Sequence, residues 1–238
     1  NTISGTLTLA GNSAINRLLA YSSVTGTART LTAATVTCSY LDLMDITGAG
    51  AGSWNLSAIT GLSGDCGGNS GITFTTGASQ TWNGGTGNWS TAARWTSRVP
   101  LPQDDCVFDS SSFSAGSQTV TADMPRSGKN INWTGVTNTP AYNIGNVLKT
   151  IYGSLTLVSG MTIGAGTGQV TFGGRSSYTL TSAGKTFNGG FTLDAPGGTM
   201  TLQDNLACGA TNVLVVTNGT FDANDKNVQT GLVNISGT

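Results

Sequence analysis

Gly153-Ser154-Leu155-Thr156-Leu157 alternates polar and apolar residues, and the same phrase stands at Gly5-Thr6-Leu7-Thr8-Leu9 and at Gly198-Thr199-Met200-Thr201-Leu202. Period-two alternation marks a strand with one buried face. Related pieces lie at 169–172, 178–180, 191–193, 213–216, 219–222 and 232–235. Past Ile151 a strand begins about every ten residues, with Gly or Asn turn signals between, a cadence that suits either an antiparallel sandwich or a solenoid. The returning phrase favours the solenoid, because equivalent positions on successive coils would stack Leu on Leu inside and Thr on Thr outside. The copies are unequally spaced, so no strict repeat length is expected.

The fold expected is therefore all-β: a parallel β-helix (solenoid), right-handed, with a Trp-rich insertion joining two modules. Residues 1–78 would form an N-terminal solenoid module, 79–110 a Trp-rich joint or cap, and 111–238 a C-terminal solenoid module. Helical structure is expected only as single turns at Ser13–Leu19 and Ser90–Trp95, the latter capped by Ser90 or Thr91.

Composition supports strands and narrows the chemistry. Charged residues make up 9% of the 238, Gly numbers 35, and Thr, Ser and Asn fill much of the rest. Helical bundles need charged outer faces, which so few charges do not supply. All eleven acids are Asp, and His is absent. The missing His removes Ser-His-Asp and Cys-His catalysis and every His-ligated metal site. A net charge of −1 with no basic run argues against nucleic acid. The apolar run Val213–Val216 is too short to span a bilayer. The four cysteines, Cys38, Cys66, Cys106 and Cys208, form no CxxC pair and read as buried thiols, with a Cys38–Cys66 disulfide left open.

Paired carboxylates are the first candidates for chemistry, since glycoside cleavage needs two facing each other across the bond. The pairs are Asp42/Asp45, Asp104/Asp105 and Asp222/Asp225, and each reads more simply as turn caps or solvated groups. The stretch from Asp222 to Lys226 opens like a calcium loop but puts Lys226 where a ligand belongs. Gly164–Gly168 is Gly-rich without the helix or Lys-Ser/Thr of a phosphate cradle. Lys149 near Asn146, and Lys185 near Asn188, are weak candidates for isopeptide bonds. Five Asn-x-Ser/Thr sequons, at Asn55, Asn88, Asn132, Asn218 and Asn234, are what chance gives in such a composition. No cofactor is expected.

The stretch from Thr81 to Trp95, TWNGGTGNWSTAARW, continues through Val99-Pro100 to Asp104-Asp105-Cys106-Val107-Phe108-Asp109. It resembles the W-x-GG-x-GNWS-x-A-x-W … P … DD-x-x-FD segment of repetitive Trp/Gly-rich β-helix proteins, which include phage structural proteins, bacterial surface proteins and autotransporter-type passengers. Ile131–Val136, Ile151–Leu157, Gly198–Asp204 and, upstream, Gly64–Gly71 are similar to that group too. The resemblance implies a long, modular, secreted or virion-borne protein and no shared catalytic site. Physically, three Trp spaced by seven and six residues read first as one compact buried cluster with Asp104 and Asp105 as turn caps, and carbohydrate stacking on an exposed Trp82, Trp89 or Trp95 is the functional alternative.

The function expected is that of a non-catalytic structural module of a long extracellular or virion-attached fibre. Its partners would be copies of itself or adjacent modules of the same polypeptide, with surface glycans next and no nucleic acid or membrane insertion. Asn234–Thr238 resembles Thr2–Thr6, which suggests head-to-tail continuation. The alternatives are a glycan-binding adhesin or tail-spike module and, after it, an Asp-dependent polysaccharide-degrading enzyme.

Overall fold

The structure is a computed structural model and describes residues 1–164 and 166–236. The chain is all-β, a parallel β-solenoid of about ten turns. Among the described residues the one helical piece is the 3-10 turn Ala92–Arg94, which Thr91 precedes without a side-chain cap. Two compact units form: Asn1–Gly77 with Leu101–Gln103, and Ala78–Pro100 with Asp104–Thr238.

The first unit is organised on one long strand, Arg29–Met44. Its central part carries Thr2–Ala10, with Leu7 beside Val36 and Leu9 beside Cys38. Its later half carries Leu18–Tyr21 on one side and Thr60–Asp65 on the other, so Leu18, Leu41 and Ser63 stand in one column. Leu41, Leu43, Ile46 and Leu56 form the buried core. The helical turn expected over Ser13–Leu19 is not there. Leu18 and Leu19 are recruited into the ladder, since pairing with Leu41 and Asp42 buries more than one isolated turn can.

The second unit has up to three rungs per coil. Side A runs through Ser79–Thr81, Asp105–Val107, Ile131–Asn132, Leu155–Thr156 and Ser177–Thr181, then the later parts of Phe191–Leu202 and Val213–Asp222. Side B begins Gly87–Asn88, Thr119–Thr121, Ala141–Asn143, Thr162–Ile163. Side C is Lys149–Ile151, Val170–Phe172, the first part of Phe191–Leu202, then Val213–Val216 and Leu232–Ile235. Where side C turns into side A a residue with positive φ recurs. Gly219 (φ +92) is one, and a Cβ there would sit 2.4 Å from Ala195 O, so no larger residue fits the corner.

Inside side A one column reads Gln80, Cys106, Ile131, Leu155, Leu180, Leu202, each no more than 1% exposed. Outside it, Thr156 stands beside Thr181 and Thr179 beside Thr201. Burying each Leu or Ile contributes roughly 1.5–3 kcal/mol, so the columns are the main source of cohesion between coils. Leu does stack on Leu and Thr on Thr, but the phrases are offset by two residues. Leu155 aligns through Leu180 with Leu202, while Met200 aligns with Tyr178. A two-residue slip keeps every side chain on its own face, so alternation alone does not set this register.

Residues 79–110, expected as a joint or cap, supply two rungs of side A in this unit, Ser79–Thr81 and Asp105–Val107. The tryptophans belong to the first coil of this ladder. Gln80 begins the inward column as a polar residue, and its Oε1 accepts from Ser97 N (3.2 Å), Ser97 Oγ (2.9 Å) and Arg98 N (3.3 Å).

Candidate functional site

Trp82, Trp89 and Trp95 do form one cluster, with Trp95 5.0 Å from Trp82 and 4.8 Å from Trp89, both edge-on. Phe108 lies beneath all three, and Trp133 stacks on Phe108. Trp82 and Trp89 are wholly buried and Trp95 is 2% exposed. The expected glycan contact at Trp82, Trp89 and Trp95 is therefore corrected: no ring face meets solvent. Chain connectivity explains it. Trp82 follows the rung Ser79–Thr81, and its N–H donates to Val107 O (3.0 Å), which fixes it in the inward column above Phe108. Trp95 Nε1 donates to Trp89 O (2.8 Å) and Trp82 Nε1 to Gly85 O (3.0 Å). Arg94 closes the turn by donating to Gly84 O.

The carboxylates are held in local structure. Asp42 is wholly buried and takes Arg17 Nε at 2.7 Å, while that guanidinium also reaches Gly61 O, Leu41 O and Leu62 O. Asp45 (φ +56) accepts from Gly26 N (2.7 Å). Asp104 grips Arg98 through both oxygens (2.6 and 2.8 Å) and takes Ala78 N (2.8 Å). Asp105 points the other way, to Asn130 Nδ2 (2.7 Å). In the calcium-like loop Asp222 caps its own turn by accepting from Asn224 N (2.9 Å). Ser111 and Ser112 donate to Asp109 and hold its carboxyl below the usual range.

Among the described residues no hydrogen bond joins either candidate isopeptide pair. Lys149 Nζ donates to Val147 O (2.6 Å), Lys185 Nζ donates to Ser159 O (2.7 Å), and Asn146 accepts from Thr167. Of Gly164–Gly168, Ala165 lies outside the described residues, and Gly168 N donates to Gly145 O (2.8 Å) as a link between coils. Cys38, Cys106 and Cys208 carry free thiols, which leaves no Cys38–Cys66 bridge. Burial pushes the Cys106 thiol well up, helped by the charges of Asp104 and Asp105, and raises Cys208 to about 11.

Lys149 escaped the sequence reading as a buried group. It occupies the inward column of side C that continues as Val170, Phe191 and Leu214, and it is wholly buried. Burial lowers its pKa to about 8. The signal was available: Lys149 and Ile151 have the same parity in one strand, so a buried Ile151 buries Lys149 too.

Side A also carries a trough of about 390 Å3 on its outer surface, lined by Ser79, Asp105, Asn130, Ser154 and Thr179 along one wall and Val107, Asn132 and Thr156 along the other. The first wall is fixed by hydrogen bonds. Asn130 Nδ2 donates to Asp105, Ser154 N to Asn130 Oδ1 (2.8 Å), and Thr179 N to Ser154 Oγ (3.0 Å). On the second wall Asn132 stands beside Thr156, and the same column continues past the trough as Thr181, one residue per coil. Asn132 Oδ1 accepts from Thr134 N, whereas Asn132 Nδ2 and the hydroxyls of Thr156 and Thr181 have no protein partner among the described residues. Among the described residues no Lys or Arg lines the trough. No family model, curated protein or solved structure matches the chain.

Proposed function

We propose that this chain is a non-catalytic structural module of a long extracellular or virion-attached fibre. The observation that carries the reading is the column Cys106, Ile131, Leu155, Leu180, Leu202, in which each coil covers the apolar side of the one before. Such a structure lengthens by adding coils, and its cohesion comes from nearest neighbours. The acids singled out for chemistry support it as well, since Asp42, Asp104 and Asp222 are engaged as ion-pair partners or turn caps. The partners on this reading are copies of the chain or neighbouring modules of its polypeptide, outside the cell.

Immunogold electron microscopy of the native source tests it. Label is expected along a virion appendage or a surface filament. Label confined to dispersed particles inside cells, or release of reducing ends from a polysaccharide panel by the purified chain, overturns it.

A further inference from the structure

We propose that the side-A trough of the second unit binds one chain of an uncharged linear polysaccharide, laid along the stacking direction with one sugar per coil. The inference goes beyond the fibre reading and does not depend on it.

Repeat distance is the first argument. Neighbouring parallel strands lie about 4.8 Å apart, so Asn132, Thr156 and Thr181 offer one hydrogen-bonding group at each such interval. That interval is close to the length of one pyranose in an extended glycan. An extended peptide laid along the same line advances about 3.4 Å per residue and falls out of step after one coil. Unspent hydrogen-bonding capacity is the second argument. Asn132 Nδ2 and the hydroxyls of Thr156 and Thr181 are uncommitted, and the neighbouring wall is already held by the hydrogen bonds of Asp105, Asn130, Ser154 and Thr179, so that wall loses little side-chain freedom on binding. Charge is the third. Among the described residues that line the trough, Asp105 is the one acidic side chain and none is basic, so a polyanion such as nucleic acid or an acidic glycan finds no cation there to offset its charge. A neutral polymer rich in hydroxyls fits all three conditions.

Calorimetric titration of the intact chain with neutral gluco-, manno- and galacto-oligosaccharides of one to eight units tests the proposal. For at least one series, affinity is expected to rise with length and level off near about five sugars, the span of the five coils from Ser79 to Thr179. It is also expected to change little between low and high salt. The double variant Asn132→Ala/Thr156→Ala weakens binding by about tenfold or more, and Thr171→Ala/Thr192→Ala on side C leaves it unchanged. Thermal melting checks that each variant folds. Should the double variant unfold, the single change Thr156→Lys, which projects into the trough from an outward position, is expected to abolish binding. The proposal is overturned if no series binds, if affinity levels off at one or two sugars, if binding collapses with salt, or if the folded trough variants bind like the parent. Any of these leaves the immunogold result on the fibre untouched.

Discussion

The ring of Trp133 stacks on that of Phe108 at 3.7 Å, with the planes 5° apart, although the two residues belong to successive coils. Trp133 N donates to Thr156 O and Phe108 N to Asn132 O, so the backbone ladder sets the two rings one above the other. With centroids this close the rings lie nearly face to face, so the apolar area they bury, more than ring electrostatics, holds the pair together. Trp133→Ala is therefore expected to destabilise the second unit by about 3–5 kcal/mol, measured by chemical denaturation. Trp133→Phe should lose far less, because it keeps the stack and removes an indole N–H that has no hydrogen-bond partner in the described structure. Equal losses for the two variants would contradict this account.

The burial of Trp82, Trp89, Trp95 and Trp133 makes a spectroscopic prediction. With Trp54 at 6% exposure, all five indoles of the chain are screened from water. Native emission should be blue-shifted and barely quenched by iodide, which does not penetrate the core, with full quenching only after denaturation. Strong iodide quenching of the native protein would put at least one Trp at the surface and reopen the stacking role ruled out above.

Within the first unit, Arg17 and Asp42 form a buried ion pair, with Arg17 also bound to three backbone carbonyls. Removing one member of such a pair leaves the other charge uncompensated in the interior. Arg17→Met should therefore cost about 3–5 kcal/mol, while Arg17→Met combined with Asp42→Leu should recover part of that loss. A double-mutant cycle by urea denaturation reads the coupling. Strictly additive losses would show that the pair does not act as a unit.

Strand identity was legible in the sequence because Ser154-Leu155-Thr156-Leu157 carries its own period. The pairing partner was not, since Leu155 meets Leu180, and nothing local distinguishes Leu180 from Tyr178 as its neighbour. Burial of the Trp cluster was half legible. The spacing of Trp82, Trp89 and Trp95 announces a cluster, but only the rung Asp105–Val107, placing Phe108 beneath it, decides which way it faces. The trough was not legible at all, because Asn132, Thr156 and Thr181 meet only once the coil length between them is fixed by the fold.

Thiol labelling follows the same burial. Cys38 is partly exposed, whereas Cys106 is wholly buried, with its thiol pushed well up by desolvation and by Asp104 and Asp105. The thiolate is the reactive species, so Cys38 should react with an aromatic disulfide in the native state at mildly alkaline pH and Cys106 only at the rate of unfolding. Mass mapping of the labelled peptides checks the order, and native labelling of Cys106 ahead of Cys38 would contradict the inward placement of its strand.

Lys149 gives the sharpest pH dependence. Its pKa is about 8 in the folded chain, where burial disfavours the ammonium, against about 10.4 for an unfolded lysine. Below about pH 8 the side chain is charged in both states and folding bears the whole cost of burying it. Between the two values the folded chain has released the proton and the unfolded chain still holds it, so stability rises with pH through this window. Above it the cost is gone. Lys149→Met keeps a long flexible side chain in the column that continues as Val170 and Phe191, and removes the charge. The variant should be more stable than the parent at pH 7 by on the order of 1–2 kcal/mol, an advantage that shrinks toward zero near pH 10. Urea denaturation of both proteins at pH 7 and pH 9.5 measures the difference directly, cancelling every other titrating group they share. An advantage that stays constant across that range would mean that Lys149 is solvated in the native state and does not occupy the inward column.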